Sequence, residues 1–293
     1  MGFLSLLNDK RLVVGDGAMG SQLIARGLGP GECGELWNVQ KPDVVEAVLR
    51  DYVGAGADFV LTNTFGANRV GLGRHGLAGR LEEINAAAVR IARRAAGREA
   101  LVVGGLGPTG GLLEPLGDLT AEDVRAAFLP QVKALAEAGV DAIICETFES
   151  SEELRTVLTA ARECCDLPLI ACMKFTPERT GRYRTMMGEG PEALVRVAEQ
   201  CGCAVAGTNC GQGIRTMPRL VGELRELTDL PLMAEPNAGM PKLVAGRTVY
   251  PEDGQAFARY LPDLHEAGAR IIGGCCGTTG DHVRAIRTFA DSV

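Results

Sequence analysis

Two adjacent cysteines, Cys275 and Cys276, lie between glycines in the segment IIGGCCGTTG. Neighbouring cysteines rarely form a disulfide with each other, because the ring that they would close is strained. A third cysteine, Cys210, has a similar setting in GTNCGQG. Zinc favours thiolate ligands, and a catalytic zinc keeps one coordination position open when three protein ligands hold it. The three cysteines therefore predict a zinc site with room for a substrate thiol, provided that the fold brings them together.

The alternative interpretation is that these cysteines pack as small apolar side chains, as unpaired cysteines commonly do. We expect this of six other cysteines, which lie in or beside apolar runs or at a helix end: Cys145, Cys164, Cys165, Cys172, Cys201 and Cys203. The glycines beside Cys210, Cys275 and Cys276 favour metal binding instead. A closed structural zinc site would commonly use CxxC pairs, which the sequence lacks.

Eight short apolar runs recur along the chain and are separated by amphipathic segments. The runs are RLVVGDGA, ADFVLTNTF, ALVVGGLGP, VDAIICETF, LPLIACMKF, CAVAGTNCG, LPLMAEPNAG and ARIIGGCCG. Continuous rather than alternating apolarity is typical of parallel strands that are buried on both faces. One of the intervening helices is expected to begin with the capping pattern Thr120 to Asp123 and to end at Gly139. The pattern predicts an α/β fold, a single (β/α)8 TIM barrel over residues 1–293.

Polar and unusual residues fall at the carboxyl ends of these runs. They are Asp16, Asn63, Glu146, Asn209, Cys210, Glu235, Asn237, Cys275 and Cys276. The carboxyl ends of barrel strands meet at one rim, where the active sites of such barrels are built. Residues that are far apart in the sequence are therefore expected to share one pocket.

Six segments resemble the homocysteine S-methyltransferase family, from Gly15 to about Ile286. They are GDGAMGSQL, TNTFGAN, ETF, GTNCG, EPNAG and GGCCGTT. The resemblance is greatest to the homocysteine-binding barrel of cobalamin-dependent methionine synthase, and betaine–homocysteine methyltransferase is more distantly similar. It implies a zinc ion held by three cysteines, with a weak fourth ligand before the substrate arrives: Cys210, Cys275, Cys276 and Asn237. It also implies acidic substrate contacts at Asp16 and Glu146.

The residues themselves support some of these assignments. Glu146 ends an apolar run, and a carboxylate at the mouth of the barrel could bind the ammonium group of an amino-acid substrate. Asp16 could do the same or hold its own loop. Asn63 and Asn209 could orient the substrate or brace loops. Glu235 is ambiguous between bracing a loop and lining the site.

The predicted function is methylation of homocysteine to methionine at a zinc-bound thiolate, with Cys210, Cys275 and Cys276 as the catalytic ligands. TNTFGAN and EPNAG resemble the methionine synthase branch, which implies a methyl-corrinoid donor. DLHEAG (263–268) resembles a corrinoid-binding motif but is expected to end a helix, so His265 is not predicted to bind cobalt. We therefore expect a separate corrinoid carrier protein. The alternatives are S-methylmethionine or betaine as the donor, another thiol as the acceptor, and a non-catalytic thiol- or zinc-binding subunit.

Two further segments need separate interpretation. GLGPTG (105–110) matches a dinucleotide-binding pattern, but Pro108 and a further loop precede the next helix, so no pyrophosphate site is expected. The irregular segment 179–190 follows the fifth run. It is either a mobile loop over the rim or an ordinary solvated loop.

Composition excludes some classes of protein. The formal net charge of -7 argues against a nucleic-acid partner or an anionic membrane surface. No apolar run reaches the roughly 20 residues of a membrane span. The N-terminal segment lacks a basic region and a small-residue cleavage site, as an export signal would need. Ten cysteines without such a signal favour a reducing compartment, and we expect a cytoplasmic protein.

Overall fold

Eight parallel strands form the centre of the computed structural model, which describes residues 2–244 and 247–293. They are β1 (Val13–Val14), β2 (Phe59–Leu61), β3 (Leu101–Leu106), β4 (Ala142–Phe148), β5 (Leu169–Met173), β6 (Val205–Gly213), β7 (Leu232–Asn237) and β8 (Ala269–Ile272). The pairing order runs from β2 through β3, β4, β5, β6, β7 and β8 to β1. Each predicted apolar run contains one of these strands, so the prediction of a (β/α)8 barrel is confirmed.

Helices alternate with the strands along the chain. They are α1 (Phe3–Asp9), α2 (Gly20–Ala25), α3 (Trp37–Gln40), α4 (Pro42–Gly54), α5 (Arg69–Gly73), α6 (Leu81–Ala96), α7 (Ala121–Ala138), α8 (Ser151–Cys164), α9 (Pro191–Gln200), α10 (Met217–Arg225), α11 (Gly254–Ala258), α12 (Leu261–Glu266) and α13 (Gly280–Ala290). None of the helices in the described part of the chain has the length and apolarity that a bilayer crossing would require.

The interior of the barrel is a separate apolar cluster to which every strand contributes. Its strand residues include Val13, Phe59, Val103, Ile144, Ile170, Val205, Met233 and Ile271. Helix α1 adds Phe3, Leu6 and Leu7 to the same cluster, and the Phe3 ring meets Phe59 edge-on at 6.0 Å between centroids. Helix α1 precedes β1, so it covers the amino end of the barrel. The carboxyl end is left for a pocket.

The predicted helix signals are confirmed at α7. Thr120 and Asp123 form a reciprocal capping box, and Gly139 ends the helix with a φ of 89°. Of the glycines of GLGPTG, Gly105 lies in β3 and the other two lie between β3 and α7; none opens a helix, as expected. His265 lies in α12, also as expected.

The segment 179–190 differs from an ordinary solvated loop. It supplies one strand of a short hairpin, in which Thr176–Pro177 pairs with Tyr183–Arg184. Tyr183 is buried, and its hydroxyl donates a hydrogen bond to the carbonyl of Thr216 at 3.0 Å. The buried ring ties this hairpin to the turn that precedes α10.

Strands β1 and β2 do not form a regular ladder, and aspartates bridge the seam between them. The backbone N–H of Asp58 donates to the carbonyl of Val14 at 2.8 Å, and Oδ2 of Asp58 accepts from the N–H of Val14 at 2.9 Å. Farther along the seam, the N–H of Leu61 donates to Oδ2 of Asp16 at 2.8 Å. Carboxylates thus replace the carbonyl acceptors that a ladder would supply.

Asp58 has a counterpart at the seam between β3 and β4. The shared role of the two aspartates explains the similar sequences AGAD and AGVD. Asp141 exchanges the same pair of hydrogen bonds with the backbone of Val102. Each aspartate also pairs with an arginine on a surrounding helix, Arg93 with Asp141 and Arg287 with Asp58. The repeated aspartate therefore fixes the start of a strand to its neighbour.

Replacing Asp58 by alanine is expected to lower the free energy of unfolding by about 2–3 kcal/mol. The change leaves the N–H of Val14 without an acceptor and Arg287 without its carboxylate, and such charge-assisted bonds contribute about 1.5–3 kcal/mol each. Urea denaturation measures the change. The control is Asp166→Ala, at an exposed aspartate that also precedes a strand. An equal loss in both variants would contradict the role of Asp58.

Candidate metal and thiol site

The three predicted cysteines meet at the carboxyl end of the barrel. Cys210 lies in β6, and Cys275 and Cys276 follow β8. Their sulfur atoms all lie within 4.8 Å of one another, and those of Cys275 and Cys276 are 4.0 Å apart. Two sulfurs at ~2.3 Å from one tetrahedral zinc would lie about 3.8 Å apart. The spacing and the soft donor set therefore fit a zinc ion.

The backbone on either side of the cysteines has unusual geometry. Cys210 has a φ of 59° and Gly211 a φ of 70°, so the chain turns sharply just after Asn209. A side chain at Gly211 would lie 2.6 Å from the carbonyl oxygen of Phe175. A non-glycine residue in the left-handed region is uncommon and often marks a functional site. This turn directs the Cys210 sulfur toward the other two.

The end of β7 holds the segment that carries the cysteine pair. The N–H of Cys275 donates to the carbonyl of Pro236, and the N–H of Ala238 donates to the carbonyl of Cys276, both at 2.9 Å. Gly277, with a φ of 83°, then turns the chain toward α13. These bonds explain why the sulfurs converge although they come from different strands.

The three thiols share hydrogen bonds. Hydrogen bonds from Cys275 and Cys276 lower the pKa of Cys210, and burial only partly opposes them. The pKa values of Cys275 and Cys276 are raised, chiefly because their thiols donate to Cys210. These hydrogen bonds thus favour the ionised form of Cys210 over that of the other two thiols.

Asn237 lies beside Cys210, where the family resemblance implies a fourth ligand. Its side chain forms a hydrogen bond that also lowers the pKa of Cys210. Asn237 is buried, and its Oδ1 atom has no hydrogen-bond partner among the described residues. A buried amide oxygen without a partner is uncommon, and it is suited to a metal or a ligand.

Asp16 and Glu146 lie in the same pocket. Asp16 is 2% exposed; its Oδ2 closes the seam to β2, whereas Oδ1 has no described partner. Burial raises the pKa of Asp16 to about 7. The pKa of Glu146 is raised to about 8, first by burial, then by the negative charges of Asp16 and Cys210. Both carboxyl groups therefore lack a compensating positive charge.

Glu235, which the sequence left ambiguous between bracing a loop and lining the site, is a further carboxyl group that lines this pocket. It is 2% exposed, and its Oε1 has no described partner. Side chains at Gly15 and Gly273 would approach this atom to 3.4 and 2.8 Å, so the two glycines make room for it. Burial and the charges of Glu146 and Asp16 raise the pKa of Glu235 well above its usual value.

The two predicted asparagines brace the rim. Asn209 donates to Oε2 of Glu146 at 3.2 Å and to Oγ1 of Thr147 at 2.7 Å, and it accepts from the Thr147 N–H at 2.8 Å. Asn63 lines the pocket, and its amide donates to the carbonyl of Gly34 at 2.9 Å and to Asn38 at 3.0 Å. These contacts brace the rim, and a role of either asparagine in orienting the substrate stays a prediction.

The cysteines and carboxyl groups line one cavity of about 380 Å³, a volume typical of small-molecule sites. Its apolar wall is formed by Leu23, Leu28, Leu61 and Phe65. No lysine, arginine or histidine is among the described residues that line it. The pocket suits a small molecule that carries a thiol and a positive charge.

Sequence reasoning missed Glu35, which also lines the cavity. Its Oε1 accepts from the N–H of Gly66 at 2.7 Å, and its Oε2 lies 3.3 Å from the sulfur of Cys33. The available signal was the glycine-rich stretch GPGECGEL, which resembles a loop that approaches other backbone closely. The six cysteines that were expected to pack are half-buried or buried, and none joins the sulfur group.

Relatives with known names match most of this chain. It is 34% identical over 299 residues to a methionine synthase of Mycobacterium tuberculosis, and the match covers 95% of this chain but 24% of the relative. The chain thus spans about a quarter of that protein's length. A homocysteine S-methyltransferase of Escherichia coli is 31% identical, with 97% of this chain and 96% of the relative covered.

Solved structures agree with these relatives. The metallated form of the homocysteine methyltransferase MmuM from Escherichia coli superposes with a TM-score of 0.79 at 26% identity and covers 97% of this chain and 98% of its own. Its oxidized form superposes with a TM-score of 0.80 at 27% identity, and 98% of both chains is covered. The family model for homocysteine S-methyltransferase matches residues 13–290. Because that match includes nearly the whole barrel, the chain belongs to the homocysteine S-methyltransferase family.

Proposed function

We propose that this chain is a zinc-dependent homocysteine S-methyltransferase that forms methionine. The observation that carries the proposal is the position of three sulfurs, at zinc-binding distances, in a cavity that is lined by four carboxyl groups and by no cationic side chain among the described residues. Cys210, Cys275 and Cys276 would hold the ion. Because all ten cysteines are free thiols, we place the enzyme in the reducing cytoplasm.

The metal would supply one chemical function, because zinc favours the deprotonated form of a thiol that it coordinates. A free thiol with a pKa of ~8.5 is mostly protonated at neutral pH and is a weak nucleophile. Asn237, whose amide oxygen has no described partner, would offer this ion an oxygen ligand beside the three cysteines. The substrate thiol would lose its proton to solvent. The sulfur would then bond to the methyl carbon, whose bond to its carrier breaks with both electrons remaining on the carrier.

The carboxyl groups would recognise the amino group of the substrate. Burial raises the pKa values of Asp16 and Glu146, so ionisation of these groups is disfavoured in this pocket. An ammonium group reverses this balance, because an opposite charge favours the ionised carboxylate. Oδ1 of Asp16 has no described protein partner and is available to such a ligand.

The asparagines would support the substrate contacts. Asn209 fixes one oxygen of Glu146, so the other oxygen is oriented toward the cavity that Glu146 lines. Asn63 holds the loop of Gly34 against the same cavity. We assign both to the substrate site in this bracing role.

For the methyl donor, we propose a methyl-corrinoid on a separate carrier protein. A corrin ring with its substituents is larger than a cavity of about 380 Å³, so it would approach the rim from outside. Several rim loops expose large apolar side chains that could meet such a partner: Phe65, Leu112, Leu116, Met186, Met240 and Leu243. Similarity to the methionine synthases supports this donor.

A small cationic donor such as S-methylmethionine or betaine is the second candidate. Two observations favour it. The chain matches a homocysteine S-methyltransferase over 96% of that enzyme's length, and four carboxyl groups line the pocket. A sulfonium or quaternary ammonium donor would complement these acids.

Cys275→Ala is expected to abolish stoichiometric zinc binding, because two cysteines and one amide leave the ion without its third thiolate. Elemental analysis of the purified protein measures the metal, and circular dichroism checks the fold. Cys164→Ala is the control, since that half-buried thiol lies at the end of α8. A variant in which Cys210, Cys275 and Cys276 are all replaced by alanine should bind no zinc. If it still contained one zinc ion per chain, the assignment would be refuted.

Glu146→Gln is expected to weaken homocysteine binding at least tenfold, since a hydrogen bond to a charged group contributes about 1.5–3 kcal/mol. Calorimetry measures the affinity, and zinc content should not change. Asp16→Asn keeps an acceptor for the N–H of Leu61 and should show a similar loss. Glu152→Gln, on the exposed first turn of α8, is the control. Unchanged affinity in both pocket variants would remove these carboxylates from the site.

Methionine formation is expected with a methylated corrinoid protein and, more slowly, with free methylcobalamin. The assay supplies these two donors, S-methylmethionine, betaine and S-adenosylmethionine in parallel, with homocysteine and zinc. Turnover with S-methylmethionine or betaine and none with either corrinoid would replace the first donor by the second candidate. Methylation of a different thiol only, or none with any donor, would argue against a homocysteine methyltransferase.

A further inference from the structure

One buried threonine joins the loop that carries Asp16 to the loop that carries the cysteine pair. Thr278 lies just after the pair and is fully shielded from solvent. Its hydroxyl donates to the carbonyl of Cys275 at 2.8 Å and accepts from the N–H of Ala18 at 3.0 Å. Ala18 lies two residues after Asp16. The hydroxyl therefore links the main chain beside Asp16 to the main chain of Cys275.

Glycines in both loops leave the space that this hydroxyl occupies. A side chain on Gly274 would lie 2.5 Å from Oγ1 of Thr278, and a side chain on Gly17 would lie 3.0 Å from the same atom. The N–H of Gly274 also donates to the carbonyl of Asp16 at 2.8 Å. Because a side chain at either glycine would crowd the hydroxyl, the close approach of the two loops around Thr278 requires both glycines.

Two further bonds join the same loops in less protected positions. The side-chain amide of Gln22 donates to the carbonyl of Thr278 at 3.0 Å, and Oγ of Ser21 accepts from the N–H of Gly277, also at 3.0 Å. Gln22 and Ser21 are only half-buried, so water can replace their bonds. Water does not reach the hydroxyl of Thr278, and a polar group that loses its partner there stays unpaired.

We propose that Thr278 is a positioning residue that fixes the separation between Cys275 and Asp16, and that this separation selects the chain length of the thiol amino acid. The inference rests on the proposed function, because it requires the substrate sulfur to bind beside the cysteines and the ammonium group to bind at Asp16. A substrate that binds at two fixed points must span the gap between them. Cysteine has one methylene fewer than homocysteine, so a gap that fits homocysteine leaves cysteine bound at one end only.

The two amino acids should respond differently when the link is removed. Valine has nearly the shape of threonine but no hydroxyl, so Thr278→Val leaves the buried N–H of Ala18 without its acceptor. The two loops are then no longer held at one separation. Homocysteine, which uses both binding points, should bind more weakly, whereas cysteine, which uses one, should bind as before. A general loss of stability would instead weaken the binding of both.

The test compares the affinities of the zinc-loaded protein for homocysteine and for cysteine, both measured by calorimetry. We expect the parent protein to bind homocysteine about tenfold more tightly or better, because cysteine lacks one hydrogen bond to a charged group. In Thr278→Val this affinity ratio should fall about threefold or more, whereas in Thr278→Ser, which keeps the hydroxyl, it should stay within about twofold of the parent value. Rescue by serine would separate the hydroxyl from the methyl group.

Thr228→Val is the matched control, because Thr228 is also buried and its hydroxyl makes the same two kinds of bond. It donates to Oε1 of Glu199 at 2.7 Å and accepts from the N–H of Leu230 at 3.3 Å. These three residues are not among the described residues that line the cavity. Urea denaturation should show a loss of stability in both valine variants, but only Thr278→Val should change the affinity ratio.

A second pair of variants keeps the proposal testable if Thr278→Val folds poorly. Thr278→Ala and Thr278→Ser differ only in the hydroxyl, so the affinity ratio should be lower in the alanine variant than in the serine variant. An unchanged ratio in Thr278→Val, an equal fall in Thr278→Ser or in Thr228→Val, or equal ratios in the alanine and serine variants would overturn the inference.

Failure of the inference is distinguishable from failure of the proposed function. If the parent protein binds neither amino acid, or binds cysteine more tightly than homocysteine, the proposed substrate is wrong and the inference falls with it. If the parent protein binds homocysteine and cysteine equally well, the gap does not select chain length, and the inference alone is overturned.

Discussion

The side chain of Asn209 is the contact on which the geometry of the site depends. It joins the ends of β4 and β6 by bonding to both the N–H and the hydroxyl of Thr147. Thr147 and Cys210, at these two ends, both have positive φ values, of 65° and 59°. Such conformations cost about 1–3 kcal/mol each and persist only where the surroundings fix them. The hydrogen bonds between Asn209 and Thr147 supply that restraint, and they thereby orient Glu146 and Cys210 together.

Asp16 contributes both to the closure of the barrel and to the pocket. One oxygen of Asp16 accepts from the N–H of Leu61 and bridges β1 to β2, whereas the other has no described partner and belongs to the cavity. Asp58 bridges the same seam farther from the rim but has no part in the pocket. A substitution at Asp16 therefore affects both folding and binding, whereas one at Asp58 affects folding alone.

The sequence predicted the features that depend on strand periodicity. Apolar runs located the eight strands, and their carboxyl ends located Asp16, Glu146, Cys210, Cys275 and Cys276 in one pocket. It did not predict features that depend on loop geometry. The cavity position of Glu35 requires an exact loop path. The sequence did not decide whether Glu235 braces a loop or lines the site, because its position depends on which face of β7 is turned toward Gly15 and Gly273.

The proposed function assigns two tasks to the pocket, which are binding of the substrate thiol and binding of the substrate ammonium group. At one side, the thiols of Cys210, Cys275 and Cys276 provide a soft donor set, and at the other side Asp16 and Glu146 provide carboxyl groups with no cationic side chain among the described lining residues. A plain alkyl thiol would satisfy only the first side and would leave the buried carboxyl groups uncompensated. An amino-acid thiol brings its own ammonium group, which stabilises the ionised carboxylates that burial disfavours. Under the proposed function, discrimination would arise because the pocket acids gain a partner only from the correct class of substrate.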